Sequence, residues 1–274
     1  MSEINDLDLQ NWKKLDDILT DSLWLIKSRD RSGTHKGDYH GNFVPQIPNQ
    51  LIRRFTKKGD TVLDTFLGSG TTLIECKKLG RNGIGIELLP KVAMIARSRI
   101  TINNYESSPK DRFSEIIVGD SKSKVTRKKV DKILKDYRKK HLQLIIMHPP
   151  YHDIIKFSKN KADLSNAKSV SLFLELFRKI VGNYMELLEK DHYIAVVIGD
   201  KYVKGEWTPL GFQVMDQLLS IKSLRLKSII VKNMEGNRGK RNQQNLWRYR
   251  ALKGGFYIFK HEYILLFQKV SKNL

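Results

Sequence analysis

Short apolar runs of strand length alternate along the chain with stretches in which apolar residues return every three or four positions. Thr61-Val62-Leu63, Gly83-Ile84-Gly85-Ile86, residues 113–118, Leu142-Gln143-Leu144-Ile145-Ile146-Met147 and residues 192–199 form the first group. Each runs into an acid (Asp64, Glu87, Asp120, Asp200) or into His148-Pro149. Residues 71–79, with Leu73, Ile74, Cys76 and Leu79 at helical spacing, and residues 171–188 form the second group, the latter a crossover helix. This order predicts an α/β domain doubly wound around a mostly parallel sheet, because parallel neighbours need crossovers and the crossover helices cover the faces. Residues 256–267 read as a closing strand pair, so that His261 and Glu262 read as structural.

Ligands of such sheets gather at the carboxyl ends of the strands. After the first of these runs comes Asp64-Thr65-Phe66-Leu67-Gly68-Ser69-Gly70-Thr71-Thr72, a strand, a tight loop and a helix start. Gly68 and Gly70 permit a sharp turn and close approach of a ligand, and the helix start behind them offers free N–H groups. The loop lacks the Gly-Lys-Ser/Thr of a nucleoside triphosphate site, and Leu73 replaces the third glycine of a dinucleotide fingerprint. A glycine turn beside one acid can also be a packing device. Three acids at successive strand ends, Asp64, Glu87 and Asp120, favour a ligand site.

The run ending at Met147 is closed by His148-Pro149-Pro150-Tyr151, since proline cannot donate to a ladder. Two prolines stiffen the loop, so the His148 and Pro149 carbonyls and the Tyr151 ring are oriented as a unit. They also keep His148 and His152 from sharing a helix face, which argues against a metal site.

With these two loops the chain resembles the S-adenosylmethionine-dependent DNA amino-methyltransferases of adenine N6 and cytosine N4, whose hallmarks are D-x-F-x-G-S-G-T-T and D/N/S-P-P-Y. The resemblance implies a Rossmann-like sheet of seven strands with the last antiparallel, and S-adenosyl-L-methionine as cofactor. It implies donor contacts from Phe43, Asp64, Phe66, Gly68, Gly70, Thr71, Thr72, Glu87 and Asp120. Asp64 would lie near the methionine end, Glu87 at the ribose hydroxyls and Asp120 at the adenine amine. Phe43 belongs to residues 38–48, similar to the family segment that closes over the donor.

Catalysis would rest on His148, Pro149, Pro150 and Tyr151, with Phe157 in the same pocket. An exocyclic amine is a poor nucleophile, and acceptors aimed at its N–H bonds favour the reactive pyramidal nitrogen. Tyr151 would stack on a flipped base. His148 departs from the family's usual residue; a neutral imidazole accepts a hydrogen bond and a protonated one cannot. An acid limb near the ordinary histidine value of about 6.5, shifted by burial, is expected. An RNA base-amine methyltransferase and a catalytically silent, nucleic-acid-binding subunit are the competing readings.

Length and hydrophobic content, 274 residues and 40%, suit one domain. The division expected is an extension over residues 1–37 and a methyltransferase domain over 38–274, with basic insertions at 122–141 and 232–255. A formal net charge of +21 points to a polyanion, here DNA. Residues 122–140 carry ten cations around a thin apolar stripe of Val130, Ile133 and Leu134, equally readable as a solvated helix face. Residues 232–253 mix cations with amides and rings, and Arg238, Lys240, Arg241, Arg248 and Arg250 are the predicted nucleic-acid contacts, on a glycine-flanked mobile loop. Sequence recognition is left to loops, a homodimer mate or a separate recognition subunit. The single cysteine, Cys76, and the lack of a signal pattern or membrane-length run predict a cytoplasmic protein, at the nucleoid in a bacterium.

Overall fold

The computed structural model describes residues 4–102, 112–203, 205–234 and 244–271. Among these, eight strands form one sheet: β1 (Leu23–Trp24), β2 (Thr61–Asp64), β3 (Asn82–Glu87), β4 (Ser114–Val118), β5 (Leu142–Met147), β6 (Leu188–Ile198), β9 (Leu224–Asn233) and β10 (His261–Lys269). Their spatial order is β1-β9-β10-β6-β5-β2-β3-β4. The β6-β5-β2-β3-β4 portion is parallel throughout, and β10 lies antiparallel to both β6 and β9. A small hairpin, β7 (Lys201–Val203) and β8 (Glu206–Thr208), stands apart after β6.

Side chains alternate between two cores because strand residues point to opposite faces. Ile145, Met147, Ile194 and Val196 pack with α4 (Lys124–Asp136), α5 (Val170–Met185) and α6 (Leu210–Leu219) on one face. Leu144, Ile146, Ala195 and Val197 pack with α1 (Gln46–Phe55) on the other. There α2 (Thr71–Lys78) and α3 (Pro90–Ile102) build an adjoining cluster of Leu73, Ile74, Ala96 and Ile100. Burial on both faces explains why the central strands read as nearly continuous apolar runs. Ser123 and Ser169 start α4 and α5 by accepting from the backbone N–H of Val125 and Leu172.

The doubly wound sheet with its antiparallel strand is as expected; the eighth strand is not. β1 comes from residues predicted to be an extension, and it pairs parallel with β9 through Leu23 with Val231 and Trp24 with Lys232. The basic segment 122–141 holds the crossover helix α4, with Val130 and Leu134 buried on the sheet. The closing strand pair is not contained in residues 256–267: β10 pairs with β9, and residues 256–260 are not strand. Part of the predicted mobile loop is helical, α7 (Gln244–Gly254). Arg238, Lys240 and Arg241 lie outside the described residues.

Candidate active site

Above the carboxyl ends of β2, β3, β4, β5 and β6 a cavity of about 1740 Å³ opens. The glycine loop bounds one side of it. Gly68 and Gly70 have φ of +54° and +97°, conformations in which a side chain is strained. Glu87, 7% exposed at the end of β3, holds the loop: one carboxylate oxygen accepts from the Gly68 N–H (2.9 Å) and the other from Leu89 N–H (2.8 Å). Burial pushes its carboxyl up to about 7. Across the loop lies the segment before α1. Asn42 accepts from the Ser69 hydroxyl at 2.8 Å, and the Arg29 guanidinium donates to the carbonyls of Asn42 and Phe43. The segment therefore lies against the glycine loop.

The predicted donor residues divide into two sets. Phe43, Phe66, Gly68, Thr71, Glu87 and Asp120 line the cavity, whereas Asp64, Gly70 and Thr72 do not. Asp64 is 1% exposed and accepts from the Thr72 hydroxyl (2.5 Å) and the Phe66 N–H (2.8 Å), a clamp that shapes the loop from behind. Burial raises its carboxyl to about 6. A Cβ on Gly70 would lie 3.2 Å from the Ala96 Cβ and 3.3 Å from its Cα. The space a side chain would take there is filled by α3.

The other side of the cavity is the loop after β5. His148 is half-buried, 5.0 Å from the Phe43 ring, and Tyr151 stands edge-on to it at 5.7 Å. Burial depresses the His148 imidazole to about 4, against a smaller upward pull from Glu262 and a downward push from Lys232. The ring is thus neutral at physiological pH, with no titration near 6.5. A Cβ on Gly199 would come within 2.7 Å of the Tyr151 ring, so the glycine just after β6 makes room for the tyrosine. The Tyr151 hydroxyl donates to Glu262 at 2.7 Å, and Glu262 is paired with Lys232 at 3.0 Å.

Glu262 therefore belongs to the site it was expected to lie outside. Lys232, first in a run predicted to reach nucleic acid, is 6% exposed and faces the cavity instead. The one available signal was an acid and a cation inside apolar strand sequence, where an unpaired charge is costly. Phe157 also lines the cavity, 6.4 Å from Tyr39, and so joins the two sides. Asp163, Leu164, Asp200 and Tyr202 complete the wall.

The DNA methylase family model, which covers N6 and N4 methyltransferases, matches residues 3–98 and 142–274, and the chain belongs to this family. A Type II methyltransferase of Methanocaldococcus jannaschii, M.MjaII, is 29% identical over 205 residues, 71% of this chain and 36% of that protein. M2.DpnII of Streptococcus pneumoniae, also a Type II methyltransferase, is 36% identical over 106 residues, 38% of this chain and 35% of its own length. The chain thus spans about a third of the length of these curated relatives. Among solved structures, TrmN from Thermus thermophilus shares the fold with a TM-score of 0.51 at 13% identity, over 83% of this chain and 49% of that one.

S-adenosyl-L-methionine is the cofactor of this family. The cavity suits its chemistry: carboxylates at the ends of β3 and β4 can accept from a diol and an aminopurine, and Phe43, Phe66 and Leu67 offer apolar surface. A Cβ on Gly68 would lie 3.2 Å from the Tyr39 ring, so the glycine makes room for that ring at the cavity edge.

Proposed function

We propose that the protein methylates the exocyclic amine of adenine or cytosine in DNA, as the methyltransferase of a restriction-modification system. The observation that carries this reading is the single cavity joining the glycine loop and its carboxylates to the His148-Pro149-Pro150-Tyr151 loop. A nucleophile held at the second loop and a donor held at the first would meet inside one enclosure. The family's description as DNA methylases favours DNA.

Glu87 and Asp120 would hold the ribose and adenine of S-adenosyl-L-methionine, with Phe43 over it. The bound cofactor supplies a methyl group on a positively charged sulfur. At the other loop, the neutral His148 ring and the Pro149 carbonyl accept from the two N–H bonds of the target amine. The developing positive charge on nitrogen strengthens those bonds in the transition state, where the stabilisation counts. The target nitrogen would take the methyl group from that sulfur, and the surplus amine proton would leave to solvent. The Tyr151 ring supports the base, which must leave the duplex to enter the cavity.

Incubation with methyl-labelled donor, followed by nucleoside analysis of DNA and RNA, tests this directly. Label in N6-methyladenine or N4-methylcytosine of DNA is expected. Label confined to RNA would replace the substrate, and tight DNA binding without transfer would make the chain a silent subunit. With DNA as substrate, His148→Asn keeps a side-chain carbonyl acceptor and should retain activity. Because His148 is neutral down to about pH 4, turnover at saturating donor should follow the same pH course in parent and variant above about pH 5.

A further inference from the structure

Beneath the catalytic loop lies a chain of polar groups that runs through three elements. Lys232 on β9 and Glu262 on β10 are directly opposed cross-strand partners. Their side chains are only 8% and 7% exposed, and their ion pair spans 3.0 Å. The second Glu262 oxygen accepts from the Tyr151 hydroxyl at 2.7 Å, and the Tyr151 oxygen lies 3.2 Å from His148 Nε2. The groups facing His148 are thus Tyr151 on its own loop, Glu262, Lys232 and the apolar ring of Phe43.

Counting protons along this chain leaves one arrangement. A carboxylate paired with an ammonium has no proton to give, so the single proton of the Tyr151 hydroxyl points to Glu262. The contact between the tyrosine oxygen and His148 must then be made by a proton on Nε2. A neutral imidazole carries only one N–H, and its other nitrogen is left with the lone pair. We infer that the Lys232–Glu262 pair, acting through the Tyr151 hydroxyl, selects the Nε2–H form of His148 and so makes Nδ1 the ring's acceptor for the target amine. Glu262 and Lys232 are positioning residues in this arrangement. The link to the target amine rests on the proposed methylation, whereas the selected form of the ring is a property of the protein alone.

Such a device suits this site. An ionised Asp at the first position of the motif presents only acceptor oxygens, whereas a histidine presents an acceptor or a donor according to which nitrogen holds the proton. Inside a buried site, a donor aimed at an amine N–H would oppose binding, so the choice of form decides whether histidine can serve there.

The test is the two-bond proton–nitrogen spectrum of the imidazole rings in the ¹⁵N-labelled protein at neutral pH, with His148 assigned by its loss in His148→Asn. The Nε2–H pattern is expected in the parent. Tyr151→Phe removes the hydroxyl alone, and the double change Lys232→Met with Glu262→Leu removes the ion pair without leaving a charge unpaired. Both variants should lose the preference for Nε2–H while the remaining histidine signals stay in place. The same variants should lower kcat at least tenfold with donor affinity, measured by calorimetry, unchanged. An Nδ1–H pattern in the parent, or an unaltered His148 pattern in both variants, overturns the inference even if their activity falls. A parent that shows the Nε2–H pattern, erased in both variants, but transfers no methyl would refute the proposed reaction and support this assignment of the ring.

Discussion

At the scale of single residues, burial decides what the strand-end acids do. Glu87 and Asp64 look equivalent in sequence and both brace the glycine loop, yet only Glu87 also faces the cavity. Free Glu87 titrates at about 7, and a diol is better held by its carboxylate than by its acid form. Donor binding should therefore weaken as pH falls below about 7, approaching about tenfold per unit for one coupled proton. Calorimetry across pH 5.5–8 should show this slope in the parent and its absence in Glu87→Gln. Gly70 gives the opposite lesson. Valine there would meet Ala96 of α3 in a backbone conformation that disfavours side chains. Gly70→Val should destabilise the fold by roughly 2–4 kcal/mol, read by denaturant melting. The variant that remains folded should bind donor with parental affinity, since position 70 does not line the cavity.

At the scale of elements, the antiparallel pair β9–β10 does more than close the sheet. It delivers Lys232 and Glu262 to the floor of the cavity, and the segment between its two strands holds α7. The edge of this pair is covered by β1, whose Trp24 is 2% exposed and donates to the Asp21 carbonyl at 3.0 Å. The N-terminal residues are tied down again at His35, which meets Glu75 of α2 at 2.6 Å with both side chains fully buried. They are structurally part of the domain. Trp24→Ala should cost roughly 3–5 kcal/mol, the usual figure for a large aromatic removed from a core. A loss below about 1 kcal/mol in chemical denaturation would show that β1 is dispensable.

At the scale of the whole molecule, a net charge of +21 must be held against a strongly anionic partner or offset by counterions. The cations of α4 stand on the outer side of a crossover helix. Those of α7 follow β9 and adjoin the cavity mouth, which Trp247 lines. Arg250 lies over the Trp247 ring at 5.4 Å, so cation and ring form one surface. We therefore favour α7 as the phosphate contact. Arg248→Gln with Arg250→Gln should reduce the slope of log affinity against log salt by roughly one unit per lost contact. If the slope is unchanged, and neutralising Lys128, Lys129 and Lys132 of α4 changes it, the contact surface lies on that helix.

Local pattern was sufficient for the features set by short-range physics. Short, nearly continuous apolar runs marked strands, glycine and proline marked the two loops, and the acids at strand ends marked the ligand side, because each depends on a few adjacent residues. Pairing across the sheet was not legible in that way. β9 mixes cations with Leu and Ile, and only its place between β1 and β10 makes Lys232 a buried partner of Glu262. The same holds for Gly70, whose neighbour is 26 positions away in α3, and for His148, whose titration is set by the surroundings of a folded cavity. Sequence determined which chemical groups stand at the strand ends; tertiary structure decided which face the cavity, because burial and opposite-strand contacts arise only when distant segments pack.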